Sequence, residues 1–376
     1  ATFTHNAWTN VRFEINTEID SAKLYINDVF VRDWLFSSQA TTTAMGINQL
    51  AAIQFRGATN ATVSQFYVDN INVPAPGSKD NPLTIDNAQD LLDLRAAVNQ
   101  NGSYKNVLAS QGTFTGFAGK YFVVTNDIDL SSVCGEDIGG QEVSFVPIGT
   151  TANPFKGRIN GQNHAISNLY INSPQDNVGL FGVIAGGGID SLHLYGDYID
   201  AKNNVGALCG TATNGVSFTA ITTSIDVLGE ENVGGIVGTL SQLSTIFHST
   251  SISSIVATTG NAGGIAGSVD NSTINFVVNG SAVSGDKNVG GIVGSIAGNG
   301  SSINNALNTG MVISLSNNTD IGGIVGKVEN TPTFIACYYD NQIFSKPSSI
   351  GIGKNTTEML NTALQGALGT YWIYTE

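Results

Sequence analysis

Charge is scarce in this chain and unevenly signed. Only 12% of its 376 residues are Asp, Glu, Lys or Arg, and the formal net charge is −14. Such an acidic balance repels phosphate backbones and anionic lipid, so nucleic acid and membrane insertion are not expected. Arginine stops altogether after Arg158. Cysteine is limited to Cys134, Cys209 and Cys337, an odd number without any CxxC, which fits neither a disulfide framework nor a zinc site. Tryptophan is missing between Trp34 and Trp372. No apolar run is long enough to span a bilayer. No signal peptide precedes Ala1 and there is no initiator Met, so a mature protein or a piece of a longer one is expected.

Glycine, in contrast, is abundant, with 45 residues. Much of it sits in one recurring word: NVGLFGV from Asn177, NVGALCG from Asn204, NVGGIVG from Asn232, NAGGIAG from Asn261, NVGGIVG from Asn288 and DIGGIVG from Asp320. Successive words begin 27, 28, 29, 27 and 32 residues apart. A nucleotide cradle would occur once, precede a helix and end in Lys-Ser/Thr, which none of these words does. A fixed period in the twenties marks a solenoid.

Between the words lie alternating stretches rich in Thr, Val, Ile and Ser, such as STINFVVNGSAV from Ser272. Two or three such strands per coil predict an all-β protein built on a parallel β-helix. Each coil buries its apolar face only by stacking on the next, about 4.8 Å away. Seven to nine coils are expected. Slot two of the word (Val178, Val205, Val233, Ala262, Val289, Ile321) and slot five (Phe181, Leu208, Ile236, Ile265, Ile292, Ile324) should point inward. Slot one is Asn177, Asn204, Asn232, Asn261, Asn288 and Asp320. Asparagine tolerates a left-handed turn, and its amide can bond to the next Asn in the stack. Slot three is glycine throughout: Gly179, Gly206, Gly234, Gly263, Gly290 and Gly322. Glycine allows positive φ at a corner or close backbone approach.

Open ends of a stack need covers. TIDNAQDLLDLRAAVNQNG spaces Leu91, Leu92, Leu94, Ala97 and Val98 as a helix, with Asp86 or Thr84 as N-cap and Gly102 as stop. Asn355 and Glu358 form a capping-box pattern before MLNTALQGAL. The organisation expected is a β segment over 1–73, a linker over 74–83, a cap helix and first coils over 84–175, the repeat coils over 176–340 and a C-terminal cap over 341–376.

The run PLTIDNAQDLLDL, then YFVVTNDIDLSS, then FVPIGTTANPFKGRINGQNHAISNLYINSPQDNVGLFG, followed by the NVGGIVG words and ACYYD, resembles the GLUG-motif repeat proteins over residues 82–376. That resemblance implies secreted or surface-exposed bacterial proteins, including adhesin-like chains and the stalk regions of IgA-cleaving metallopeptidases. It implies no catalytic residue, and the chain has no HExxH. In the first word the closing glycine comes one residue early. WTNVRFEINTEIDSAKLYINDVFVRDWLF and QFYVDNINV resemble part of an antiparallel laminin-G or concanavalin-like jelly roll. About 70 residues are too few to complete such a sandwich.

β-Helical lyases, by resemblance, need an Arg or Lys base and clustered acidic calcium ligands; Lys202, Lys287 and Lys327 stand one per coil at most. Hydrolysis needs two carboxylates about 5–9.5 Å apart, and Asp127 and Asp129 in NDIDL share one strand face. Turn-adjacent Asp more often bonds local backbone, and that reading is preferred. His164 in GQNHAISNL is read as a packed structural residue and Cys209 as a small buried hydrophobe. Sugar-binding platforms are usually aromatic, which points to Trp8, Tyr25, Trp34 and Tyr67. Asp69 in YVDNI falls where related jelly rolls often hold calcium, the one cofactor in view.

These features point to a non-catalytic protein, secreted or on the cell surface. It would present a rigid β-helical stalk for attachment, its partners an extracellular glycan or protein receptor and neighbouring domains or chains. The rival reading is a carbohydrate-active enzyme or carbohydrate-binding module of the β-helix class.

Overall fold

The computed structural model describes residues 11–16, 21–26, 29–35, 74–109, 115–316, 320–346 and 348–359. The chain divides into two compact units, Ala1–Asn72 and Val73–Glu376. In the first, β1 (Val11–Asn16), β2 (Ser21–Ile26) and β3 (Val29–Leu35) form an antiparallel meander in the order β1-β2-β3.

The second unit is a parallel β-helix. Its longest sheet stacks ten rungs, from β4 (Leu83–Ile85) through Tyr121–Val124, Arg158–Asn172, Gly188–Asp200, Ser217–Gly229, Thr245–Ser251, Thr273–Asn279, Ser302–Asn308 and Thr333–Asp340 to Ile352–Lys354. A six-stranded sheet runs from Phe181–Ala185 to Val325–Val328, and a five-stranded one from Asn203–Gly206 to Ile321–Gly322. The complete coils therefore number about six, fewer than the period alone suggests, because the first rungs carry loops in place of the second and third faces. The middle coils hold four short strands rather than two or three, since the long-sheet strand breaks in two, as at Thr245–Ser251 and Ser254–Ala257.

The words sit at the corner between the two shorter sheets. Val178, Val205, Val233, Ala262 and Val289 are buried, and Ile321 is half-buried at the end of the column. Leu208, Ile236, Ile265, Ile292 and Ile324 are buried too. Phe181 is buried but stands in the next column. It pairs with Cys209, which pairs with Val237. The first word is one residue short, so its strand slips by one and leaves slot five to Leu180, also buried. Removing each Val or Ile from water contributes about 1.5–3 kcal/mol.

The glycines of the words work by closeness, not by left-handed backbone. None has positive φ; the left-handed residues are Asn177 (φ 60°), Asn204 (55°) and Asn232 (55°). A Cβ on Gly234 would lie 2.7 Å from Ala266 Cα in the next coil, and one on Gly206 would lie 2.6 Å from Val237 Cα. Slot-seven glycines press the other way: a Cβ on Gly238 would collide with the backbone of Asn204 one coil back. Beside them runs an amide ladder. Asn204 Nδ2 donates to Asn177 Oδ1 (3.1 Å), Asn232 to Asn204 (2.9 Å), Asn261 to Asn232 (2.7 Å) and Asn288 to Asn261 (2.5 Å).

At the N-terminal end, α1 (Ala88–Asn99) adds Leu91, Leu94, Ala97 and Val98 to the same core as Ile85 and Phe122. Its N-cap is Asn87, not Asp86 or Thr84: Asn87 Oδ1 accepts from Asp90 N (3.1 Å). Asp86 instead accepts from Thr84, Thr125 and Lys105, tying the helix entry to the first rungs. The helix ends in a Schellman pattern, with Gly102 N bonded to Ala97 O (2.8 Å) and Asn101 left-handed at φ 54°. The segment read as a linker is partly built into the first coil, since Tyr121 N donates to Gly77 O (2.9 Å). Near the other end, Asn355 and Glu358 close a reciprocal capping box over α2 (Thr356–Met359). Met359 lies against Leu307, Val278 and Tyr338 on the outside of the long sheet rather than over the open end of the bore.

Candidate functional site on the outer face of the long sheet

Asp127 and Asp129 are held by neighbouring strand backbone and side chains. Asp127 Oδ1 accepts from Ala165 N (2.9 Å) and lies 3.0 Å from His164 Nδ1. Asp129 Oδ1 accepts from Asn168 Nδ2 (2.7 Å) and Ser131 N (2.8 Å). These bonds hold both carboxyls below the usual carboxylate range: for Asp127 the Ala165 amide leads, then His164; for Asp129 it is Asn168, then Ser131. A general acid needs the opposite shift. His164 is not packed in the core; its half-exposed ring is pinned at the surface by Asp127.

Cys134, Cys209 and Cys337 are buried free thiols. Burial pushes the Cys209 thiol up strongly and that of Cys337 up to about 11, so neither is a nucleophile at neutral pH. Among the described residues no group of three His, Cys, Asp or Glu could hold a metal ion. Likewise, no helix among them is long and apolar enough to cross a membrane. Of the four aromatic candidates, Tyr25 packs edge-on against Phe30 across the meander, centroids 5.7 Å apart. Trp34 pairs in register with Ala22. Trp8, Tyr67 and Asp69 lie outside the described residues.

The outer face of the long sheet carries two features that the residue pattern did not single out. The first is a ridge. In each coil one long-sheet residue is left-handed: Ser191 (φ 53°), Ala220 (52°), His248 (49°), Phe276 (53°), Asn305 (52°) and Ala336 (50°). The bend turns two consecutive side chains outward, so Phe247 and His248 stack on each other (4.1 Å) and Phe276 meets both edge-on (5.3 and 5.1 Å). Five different residue types fill these six positions, so no recurring letter marks the column.

The second is a cleft of about 480 Å³ over the early rungs, lined among others by Lys79, Tyr121, Arg158, Asn160, Gln162 and Asp190. Stacking assembles it. Arg158 pairs in register with Tyr121 on one side and Gly188 on the other. Asn160 pairs with Asp190, and Asp190 with Thr219. Gly188 stands between Arg158 and Ser217 without a side chain, so the floor there is backbone. Lys79 and Arg158 are exposed, and among the described residues neither side chain has a hydrogen-bond or ion-pair partner. A smaller hollow of about 290 Å³ beside α1 differs in this respect. Its Lys105 is already bonded to Thr84, Asp86 and Asp90.

No family model matches the chain. Over 139 residues (36% of this chain) it is 37% identical to a protein of Evansella cellulosilytica provisionally named a Gly-rich membrane protein, of which it covers 14%. Over 250 residues (63% of this chain) it is 26% identical to an immunoglobulin A1 protease of Streptococcus pneumoniae, of which it covers 11%. The chain thus spans only a small part of these relatives. Among solved structures it is similar to a Bacteroides ovatus protein provisionally named an immunoglobulin A1 protease. The TM-score is 0.56 at 20% identity, covering 77% of this chain and 88% of that one, a likeness of fold.

Proposed function

We propose that this chain is a non-catalytic structural module of a bacterial protein, secreted or displayed at the cell surface, in which a rigid β-helix carries neighbouring segments and contacts extracellular glycan or protein. The observation that carries this reading is the unbroken stack itself. Three parallel sheets, an apolar bore and a continuous amide ladder from Asn177 to Asn288 make a rod whose coils support each other without disulfides. The likeness to parts of large proteins named for membrane association and immunoglobulin cleavage supports a supporting role beside other domains. So does the GLUG-motif resemblance of the repeat words.

Against the enzymatic rival counts the engagement of Asp127 by Ala165 and His164 and of Asp129 by Asn168 and Ser131, the role of structural acceptors. Calcium at Asp69 and sugar contact through Trp8, Tyr25, Trp34 and Tyr67 remain proposals of the same reading. The test has two arms. Antibody labelling of intact producing cells, or detection in their medium, should find the chain outside. Incubation with a panel of polysaccharides should release no reducing ends; release from any polymer that tracks the purified protein would overturn the non-catalytic assignment.

A further inference from the structure

The geometry points to a carboxylate-bearing saccharide as the ligand of the cleft over the rungs that begin at Tyr121, Arg158 and Gly188. This rests on the surface-module reading above and names one chemistry of contact for it. The chain is strongly acidic, with a net charge of −14, yet the same cleft is lined by two cations that have no partner among the described residues. Arg158 presents a planar fork that matches a carboxylate with two parallel hydrogen bonds, and Lys79 adds a second positive charge to the lining.

The rest of the lining is suited to hydroxyls. Asn160 and Gln162 offer amides that both donate and accept, and Asp190 accepts, from positions one rung apart or on the same strand. Tyr121, one rung from Arg158, offers an aromatic flank of the kind sugar rings stack upon. At about 480 Å³ the cleft falls within the size of ordinary ligand sites, roughly 300–1,000 Å³.

Charge then narrows the class. Asp190 shares the cleft with the two cations, and no Lys or Arg occurs between Lys202 and Lys287 in the coils that follow. A densely sulfated or phosphorylated polymer would meet repulsion along most of the rod. A saccharide with one carboxylate among many hydroxyls, a hexuronate, meets one cationic corner and a polar floor.

The experiment is calorimetric titration of the full chain with tetragalacturonate and tetraglucuronate, with their methyl esters, and with a sulfated oligodextran. At least one of the free acids should bind, and its ester should bind at least about tenfold more weakly. Arg158→Ala should weaken the acid by a similar factor without changing the melting temperature, since the side chain is exposed. Arg158→Lys should retain part of the affinity, and Thr273→Ala, four rungs further along, should retain all of it. The proposal is overturned by equal binding of acid and ester, by undiminished binding to Arg158→Ala, by preference for the sulfated ligand, or by no heat with either hexuronate at millimolar concentration. Any of these leaves the surface-module reading standing, because cell labelling and reducing-end release decide that separately.

Discussion

Gly264 faces the side chain of Asn279 across the bore so closely that a Cβ on the glycine would overlap the Asn279 amide. The same relation recurs one coil back between Gly235 and Ser251, and one coil on between Gly291 and Asn308. Asn279 is fully buried and fully used. It accepts from Ser281 N (2.9 Å) and donates to Ser281 O (3.1 Å) and Asn308 Oδ1 (2.8 Å). The fourth-slot glycine therefore makes room for an internal polar ladder. Gly264→Ala should cost about 1–3 kcal/mol by overpacking. Chemical denaturation of Gly264→Ala, Asn279→Ala and the double variant checks the cause: the combined loss should be smaller than the sum, and simple additivity would refute the contact.

Asn232 is used twice in the outer ladder, donating to Asn204 and accepting from Asn261, while its backbone is left-handed. Asn232→Ala should lose both bonds and add backbone strain, together about 2 kcal/mol. Asn232→Gly removes the bonds but tolerates the φ, so its loss should be smaller. Equal urea midpoints for the two variants would show that the left-handed corner contributes nothing.

Val233 is fully buried, whereas the Lys287 side chain is 58% exposed and sits 3.8 Å from Glu231. Val233→Asp places an unpaired carboxylate in the bore and should unfold the chain or lower its stability by 3 kcal/mol or more, on the order of a broken buried ion pair. Lys287→Ala should stay within about 0.5 kcal/mol. Melting curves of the two variants decide whether slot two points inward.

Stability should fall in acid. Burial raises the pKa of Asp86, but hydrogen bonds from Thr125, Lys105 and Thr84 outweigh it, and Asp127 and Asp129 are lowered by their own bonds. A carboxyl lowered in the folded state stabilises fully above its unfolded value, near 3.8. That contribution disappears as pH drops through the lower folded value. The part due to these carboxyls should thus be flat from pH 7 to about 5 and decline below 4, while His248, its pKa lowered by burial, adds a loss that begins below about 6.5. Asp129→Asn should shallow that decline, and an unchanged slope would count against the Asn168 and Ser131 bonds.

The thiols should be silent until the rod opens. Cys209 is wholly buried and Cys337 nearly so. At pH 8 a thiol reagent should label neither within the time that labels the urea-unfolded chain completely. Rapid native labelling of Cys209 would mean that the bore is open at the second face.

The repeat words were legible because stacking imposes one requirement on every coil: apolar inward slots, small residues where neighbouring backbones touch, and an amide able to bond its own copy. Those demands recur at the coil period, so the letters do too. The exact reason for glycine was not legible. Positive φ and close approach call for the same letter, and only the position of Asn279 against Gly264 and of Ala266 against Gly234 separates them. The cap of α1 is Asn87 rather than Asp86 or Thr84, although all three residue types are good caps. Asp86 is drawn away by Thr125 and Lys105, whose positions in the chain are remote.

The sequence by itself determined that this is a solenoid of parallel strands and which side chains fill its bore, because burial against the next coil is a local demand repeated about every 28 residues. Only the tertiary structure decided what its outside offers. The outward ridge depends on a left-handed bend at Ser191, Ala220, His248, Phe276, Asn305 and Ala336, of which only His248 and Asn305 are residue types that favour it. The cleft depends on register, which sets Tyr121 and Gly188 on either side of Arg158 although they lie far apart in the chain.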